Sequence, residues 1–218
     1  MGSFWHVLTD NWDVIGPHFL STIELFVIAA VSSLVLGTLL TAMRVSPIPA
    51  LRAFGTSYVQ LLRNTPLTLV FALLVFAVPK LNVTFDYFTG ACIALTAYTS
   101  AFVCEVLRSG INTVPVGQAE AARALGMTFG QVLGSVVLPQ AFRSIVPPMM
   151  SVLIAMLKNT TVAAGFSVAE AGAIRAYLAE RGENQIQVLL WIAIGFLIII
   201  APLVYLQRRL ERRWKVAR

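Results

Sequence analysis

Four consecutive polar residues, Lys158, Asn159, Thr160 and Thr161, close an otherwise apolar run. An ammonium, an amide and two hydroxyls in a row can receive a carboxylate or a zwitterion. Counted on a helix from Arg143, the fifteen residues to Lys158 rise roughly 22 Å at 1.5 Å each. That leaves the Lys158 backbone in the outer half of a hydrocarbon core about 30 Å thick. A lysine there either snorkels its charge to the headgroups or faces a cavity or a partner, for which Glu105 and backbone carbonyls are candidates. The intramembrane carboxylates are few, Glu24 and Glu105, and Glu105 stands at i,i+3 spacing from Arg108, close enough for an ion pair on one helix. Asn64, Thr65, Thr96 and Ser100 offer further amide and hydroxyl groups. For Thr96 and Ser100 the competing role is hydrogen bonding between helices. Arg63 reads as an interface anchor. His6 and His18 have no Cys or carboxylate at ligand spacing, so no metal site and no cofactor is expected. Cys92 and Cys104 on one helix would be roughly 18 Å apart, too far for a disulfide.

The chain that positions these groups has 218 residues, of which 58% are hydrophobic and 12% charged. A soluble domain carries about 25% charged residues, and this chain has too few polar side chains to cover a soluble surface. Composition therefore excludes a soluble enzyme and a disordered chain, and predicts one all-α polytopic membrane domain over residues 1–218. Apolar stretches place five transmembrane helices at about residues 19–43, 66–78, 87–107, 142–164 and 188–206. The second is short, so the amphipathic helix expected at residues 51–62 dips into the bilayer or leads straight into it. Pro147 and Pro148 predict a bend in the fourth. Residues 110–134 alone form a long segment of soluble-like composition, and residues 207–218 form a basic tail.

The net charge of +6 would suggest nucleic acid in a soluble protein, but here the basic residues cluster between apolar runs, so orientation in a membrane accounts for them and no nucleic acid is expected. With the N-terminus outside, twelve of the 16 Lys and Arg fall on inner segments, and Lys80, Lys158, Arg175 and Arg181 fall on outer ones. This asymmetry puts the N-terminus outside, the C-terminus in the cytoplasm, and residues 110–134 in the cytoplasm between the third and fourth spans.

Within that segment, residues 118–125 read as a short alanine-rich helix. Glu120 is expected in its first turn, where a carboxylate suits the positive end of the dipole, and Gly126 is suited to end it in the left-handed conformation. Ala119, Ala121, Ala122 and Ala124 leave a thin rod. Such a rod can enter a groove on a partner closely, or it can lie on the membrane as an ordinary loop helix.

The pattern Glu120, Ala121, Ala122, Gly126, Val136, Leu138, Pro139 resembles the EAA loop of ABC importer permeases, with Val136 where isoleucine is frequent. Arg63-Asn64-Thr65-Pro66-Leu67 is similar to a segment of the polar amino acid permeases. So are Arg108-Ser109-Gly110-Ile111 with Pro115, Gly117 and Gln118, the stretch Leu138-Pro139-Gln140-Ala141-Phe142-Arg143, and Leu157-Lys158-Asn159-Thr160-Thr161. Met43-Arg44-Val45-Ser46-Pro47 and Tyr98-Thr99-Ser100 resemble actinobacterial glutamate-uptake permeases. The similarity spans about residues 20–206.

The resemblance implies a multi-pass protein of the bacterial cytoplasmic membrane and half of a transmembrane pore. It implies a second permease subunit, a paralogue or a copy of itself, a dimer of ATPase subunits, and an extracytoplasmic substrate-binding protein. Residues 110–134 then carry a coupling helix, with Gln118, Glu120, Ala121, Ala122 and Gly126 at the ATPase. Lys158, Asn159, Thr160, Thr161, Asn64, Thr65, Thr96 and Ser100 are candidates for the substrate path. The chain has no Gly-x-x-x-x-Gly-Lys-[Ser/Thr] sequence, so it is not expected to be an enzyme, and ATP hydrolysis falls to a partner. The expected cargo is glutamate. The alternatives are another polar amino acid (glutamine, aspartate, or a cationic one) or an ion-coupled secondary transporter, against which the absence of an internal repeat speaks.

Overall fold

The structure is a computed structural model that describes residues 4–213, so Lys215 and Arg218 of the basic tail lie outside the described residues. Every regular element among them is helical: α1 (Phe4–Asp10), α2 (Trp12–Val45), α3 (Pro49–Arg63), α4 (Leu67–Ala72), α5 (Tyr87–Ile111), α6 (Val116–Ala124), α7 (Phe129–Gln131), α8 (Leu138–Asn159), α9 (Ile174–Glu180) and α10 (Gln185–Arg213). A π-helical turn, Leu73–Ala77, and a 3-10 turn, Val78–Leu81, extend α4. Another π segment, Val132–Val137, joins α7 to α8, and α8 tightens into a 3-10 stretch, Thr160–Phe166.

Four runs are each long and apolar enough to cross a membrane: α2, α5, Phe129–Phe166 and α10. A fifth candidate is a bent pair, Pro49–Arg63 and Leu67–Leu81, which meet at 106° and pass the same test only when taken together. The break has a local cause. The Asn64 N–H still bonds to Gln60 O, but Pro66 has no N–H to continue the ladder and pushes Thr65 out of the helical region. The expected dip before the second span is therefore a sharp corner. The other boundaries move outward. Asn11 O accepts from the N–H groups of both Val14 and Ile15 at 3.0 and 2.9 Å, which starts α2 a full two turns before residue 19. The helical run of α8 continues through Pro147 and Pro148 without interruption. The short helix of the 110–134 segment begins at Val116, behind Pro115, so Glu120 lies in its second turn and not in the first. Proline before the helix explains the difference, since its fixed φ leads directly into helix and adds a turn ahead of Gln118.

Small residues let the two central helices approach. On α2 the buried positions Ala29, Ala30, Ser33, Gly37 and Thr41 recur every three or four residues, and they face Ala91, Ala94, Ala101 and Cys104 of α5. Lipid is as apolar as leucine, so burial alone drives little association in a bilayer, and close packing with hydrogen bonds must hold the pair. Thr41 Oγ1 reaches Gly37 O at 2.7 Å and Cys104 O at 3.3 Å, and Ser33 Oγ reaches Thr96 O at 3.5 Å. In contrast, α10 is apolar nearly all round, and only 6% of its spanning window is buried.

The end of the bundle that holds α1 and α9 closes around a buried carboxylate. Glu170, beyond the end of the fourth span, is fully buried. Its Oε1 accepts from the Gly172 N–H at 2.8 Å and its Oε2 from Thr22 Oγ1 at 3.2 Å, while Thr22 accepts from the Ala171 N–H at 2.9 Å. Burial pushes the Glu170 carboxyl up to about 7, against these hydrogen bonds.

Two expectations follow. A Cβ at Gly37 would stand 2.5 Å from Val103 Cγ1 and 3.0 Å from Ser100 O. Gly37→Val should therefore destabilise the α2–α5 pair by about 1–3 kcal/mol, read as a lower thermal midpoint in detergent; an unchanged midpoint would rule out this close crossing. Glu170 binds its proton more tightly folded than unfolded, so its contribution is full below about pH 4.5, declines as pH rises to about 7, and is level above. Glu170→Gln keeps an acceptor for Gly172 and removes the charge, so the decline across that window should flatten relative to wild type. The same slope in both proteins would assign the pH dependence to other groups.

Candidate functional site: a groove and a loop helix

Helices α5 and α8 are in close contact where Gly110 meets Ile145, since a Cβ on Gly110 would overlap that side chain. From that crossing the two helices leave a groove with two hollows. The first, of about 170 Å³, is lined by Tyr98, Thr99, Phe102, Val152, Met156 and Asn159. The second, of about 290 Å³, lies toward the α6 end and is lined by Arg63, Phe102, Glu105, Ser109, Thr113 and Ser144 among others. Phe102 and Val152 line both, so the hollows are neighbours along one path.

At the second hollow one carboxylate gathers three arginines from three helices. Glu105 Oε2 accepts from Arg44 of α2 at 2.6 Å, and Oε1 accepts from Arg108 at 2.5 Å. Arg63, at the end of α3, stands 3.6 Å from Oε2 and lies over the Phe102 ring, 5.8 Å from its centroid. The i,i+3 pairing with Arg108 was readable from spacing; Arg44 and Arg63 come from distant sequence, and only the fold brings them in. The expected alternative, Glu105 with Lys158, does not form, since both oxygens of Glu105 are held by arginines. Arg63 is also more than an anchor in the headgroups, because it faces an aromatic ring and a carboxylate.

The other expected path residues scatter. Asn159 lines the first hollow. Lys158 is exposed, with no ion-pair partner among the described residues. Thr160 is fully buried and its hydroxyl donates to Leu157 O at 2.7 Å, while Thr161 is exposed and donates to Lys158 O at 2.8 Å. Ser100 is fully buried, donates to Ala97 O at 2.9 Å and meets the Tyr58 hydroxyl at 3.1 Å, so it joins α3 to α5. Thr96 lines a separate apolar hollow with Ile28 and Phe88. Asn64 is exposed at the corner, where Thr65 donates back to Leu61 O at 2.7 Å.

The loop helix α6 is held at both ends and bare along its outer face. Gly126 has φ +82°, its N–H bonds to Arg123 O at 2.9 Å, and the Met127 N–H bonds to Ala122 O at 3.2 Å. These two bonds make a Schellman turn, which needs a left-handed residue at the position of Gly126. Gln118 Oε1 accepts from Gln140 Nε2 at 2.6 Å, and Gln140 also donates to Val136 O at 2.9 Å, so α6 is tied to the start of α8. Ala122 faces inward and is buried; Glu120 and Ala121 are exposed, as are the large apolar side chains of Val116, Leu125 and Phe129. An isolated helix of nine residues is marginal in water, so these ties keep it formed, and an exposed apolar face of this kind fits a partner protein.

Known proteins share this arrangement. Residues 33–216 match the family described as binding-protein-dependent transport system inner membrane component. The glutamate transport system permease protein GluC of Corynebacterium efficiens is 43% identical over 213 residues, which covers 90% of this chain and 93% of that protein. The probable glutamine ABC transporter permease protein GlnM of Bacillus subtilis is 33% identical over 216 residues, covering 95% and 98%. A crystal structure of an amino acid ABC transporter with histidines superposes with a TM-score of 0.90 at 25% identity, over 98% of this chain and 100% of that one.

Proposed function

The chain belongs to the family of binding-protein-dependent transport system inner membrane components, and we propose that it is the permease subunit of an ATP-driven importer whose cargo is glutamate. It is a multi-pass protein of the bacterial plasma membrane and an amino acid importer permease. The observation that carries the coupled mechanism is α6: a short helix, locked by a Schellman turn and the Gln118–Gln140 bond, with Glu120, the following Leu125 and Phe129 of α7 all exposed. In this reading α6 docks on an ATPase subunit. Because Gln118 and Gln140 join it rigidly to α8, a displacement of α6 moves the fourth span and with it one wall of the groove.

The assembly takes a second permease subunit, identical or paralogous, two ATPase subunits and an external binding protein. The bare face of α10 and the open side of the groove are surfaces that such neighbours and lipid would cover. The N-terminus lies outside and α6 in the cytoplasm, as the distribution of basic residues supports. The glutamate reading is supported by the 43% identity to a glutamate transport permease. Asn159 in the first hollow supplies an amide that can donate to a carboxylate.

Gly126→Val places a branched side chain at φ +82°, where non-glycine residues are strained by about 1–2 kcal/mol. Either this change or Glu120→Lys, which reverses an exposed charge on the docking face, should abolish substrate-stimulated ATP hydrolysis while the protein stays in the membrane. Normal coupled transport in both variants would remove α6 from the ATPase contact. Topology is read separately: a reporter fused at residue 130 should be active only as a cytoplasmic one, and activity only on the outside would reverse the orientation.

A further inference from the structure

The second hollow carries an imbalance of charge. Glu105 supplies one negative charge to the guanidinium groups of Arg44, Arg63 and Arg108. Its two oxygens are taken by Arg44 and Arg108 at 2.6 and 2.5 Å. Arg63 is the one left over: at 3.6 Å it feels the charge but makes no hydrogen bond to it, and its side chain is 44% exposed. The Phe102 ring, 5.8 Å away, attracts the guanidinium without neutralising it. A guanidinium so placed keeps its donor edge for a ligand, and its planar fork matches the two oxygens of a carboxylate. The walls around it add the hydroxyls of Ser109, Thr113 and Ser144, which can accept from an ammonium group. The adjoining hollow at Asn159 shares Phe102, so a small zwitterion leaving one hollow enters the other past that ring.

We infer that Arg63 is the carboxylate-binding residue of a second amino acid site at the cytoplasmic end of the groove, the position from which cargo leaves. This rests on the importer reading above and adds to it a site and a ligand class, an amino acid carboxylate. The carboxylate is either the one on the α-carbon or the one on an acidic side chain, and the two differ in which analogues bind. Arg44 and Arg108 act here as positioning residues, since by occupying Glu105 they keep it from closing on Arg63.

The test is equilibrium binding of radiolabelled glutamate, glutamine and 4-aminobutyrate to the purified permease–ATPase complex, free of the external binding protein, with inorganic phosphate as competitor. Wild type should bind glutamate. Arg63→Gln should weaken binding about tenfold or more, and Arg63→Lys should lose clearly less, with thermal midpoints of both variants near wild type. Weakening shared by glutamate and glutamine, with no binding of 4-aminobutyrate, assigns Arg63 to the α-carboxylate. Weakening shared by glutamate and 4-aminobutyrate, with glutamine unaffected, assigns it to the side-chain carboxylate. The inference is overturned if wild type binds no glutamate, if Arg63→Gln binds as well as wild type, if Arg63→Lys loses as much as Arg63→Gln, or if phosphate displaces glutamate at equal concentration. ATP-driven glutamate uptake into proteoliposomes is measured alongside. Its absence in wild type would remove the importer reading itself, whereas uptake with binding indifferent to Arg63 would remove only the site.

Discussion

One carboxylate, Glu105, holds the α6 ends of three helices in register. It draws Arg44 from α2, Arg63 from α3 and Arg108 from its own helix into contact across more than sixty residues of sequence. In a bilayer the hydrophobic effect does not choose among helix pairings, because lipid and leucine are equivalent neighbours. A charge cluster does choose, since leaving its least exposed members, Arg44 and Glu105, unpaired in a medium of low polarity is expensive. Arg44, with its side chain only 13% exposed, could not be tolerated at that depth without Glu105. The corner at Pro66 then makes sense as geometry: α3 must lie across the bundle for Arg63 to reach the same carboxylate, and a straight second span would carry it away.

The small-residue contact between α2 and α5 and the Glu105 cluster act on the same pair of helices. The first sets how near they come, and the second sets where along their length they stop. Between them, α8 is free to pack at an angle and open the groove. The helix that shares least in this scheme is α10, which packs mainly on α8 and α9; Trp191 also stacks on Phe4 at 4.6 Å and donates to Phe4 O at 2.9 Å, and Gln207 donates to Ser151 at 2.8 Å near the other end.

Helices in a membrane declare themselves by length and apolarity, so the four long spans and the shorter bent one were readable, and the boundaries of the long ones were short by a turn or two. What erased the ends was capping from outside the apolar run, as with Asn11, whose carbonyl begins α2 before any periodicity does. The left-handed Gly126 was readable because so few residues tolerate that conformation. The first turn of α6 was not, because Pro115 sets it and alanines give no periodicity to count. The polar residues of the candidate path were legible as types but not as directions. Asn159 and Thr160 are neighbours in sequence and point to a hollow and to the core respectively, a difference of about 100° on a helix that no composition argument resolves. Polar groups paired through three dimensions, such as Arg44 with Glu105, and Glu170 with Thr22, leave no local trace at all.

The two π segments have a bearing on how chains of this kind vary in length. A π turn closes its hydrogen bond over one residue more than an α turn and leaves the helix on either side in phase. Leu73–Ala77 and Val132–Val137 are thus places where the chain holds one residue in excess of a plain helix. Loss of a single residue at either would restore ordinary α-helix and keep the flanking faces, Phe71 on one side and Ala141 on the other, aimed where they were. Elsewhere in a span one deletion turns every following side chain by about 100° and is ruinous. Divergence by single-residue insertion and deletion, normally closed to helical membrane proteins, is therefore open to this fold at these two segments.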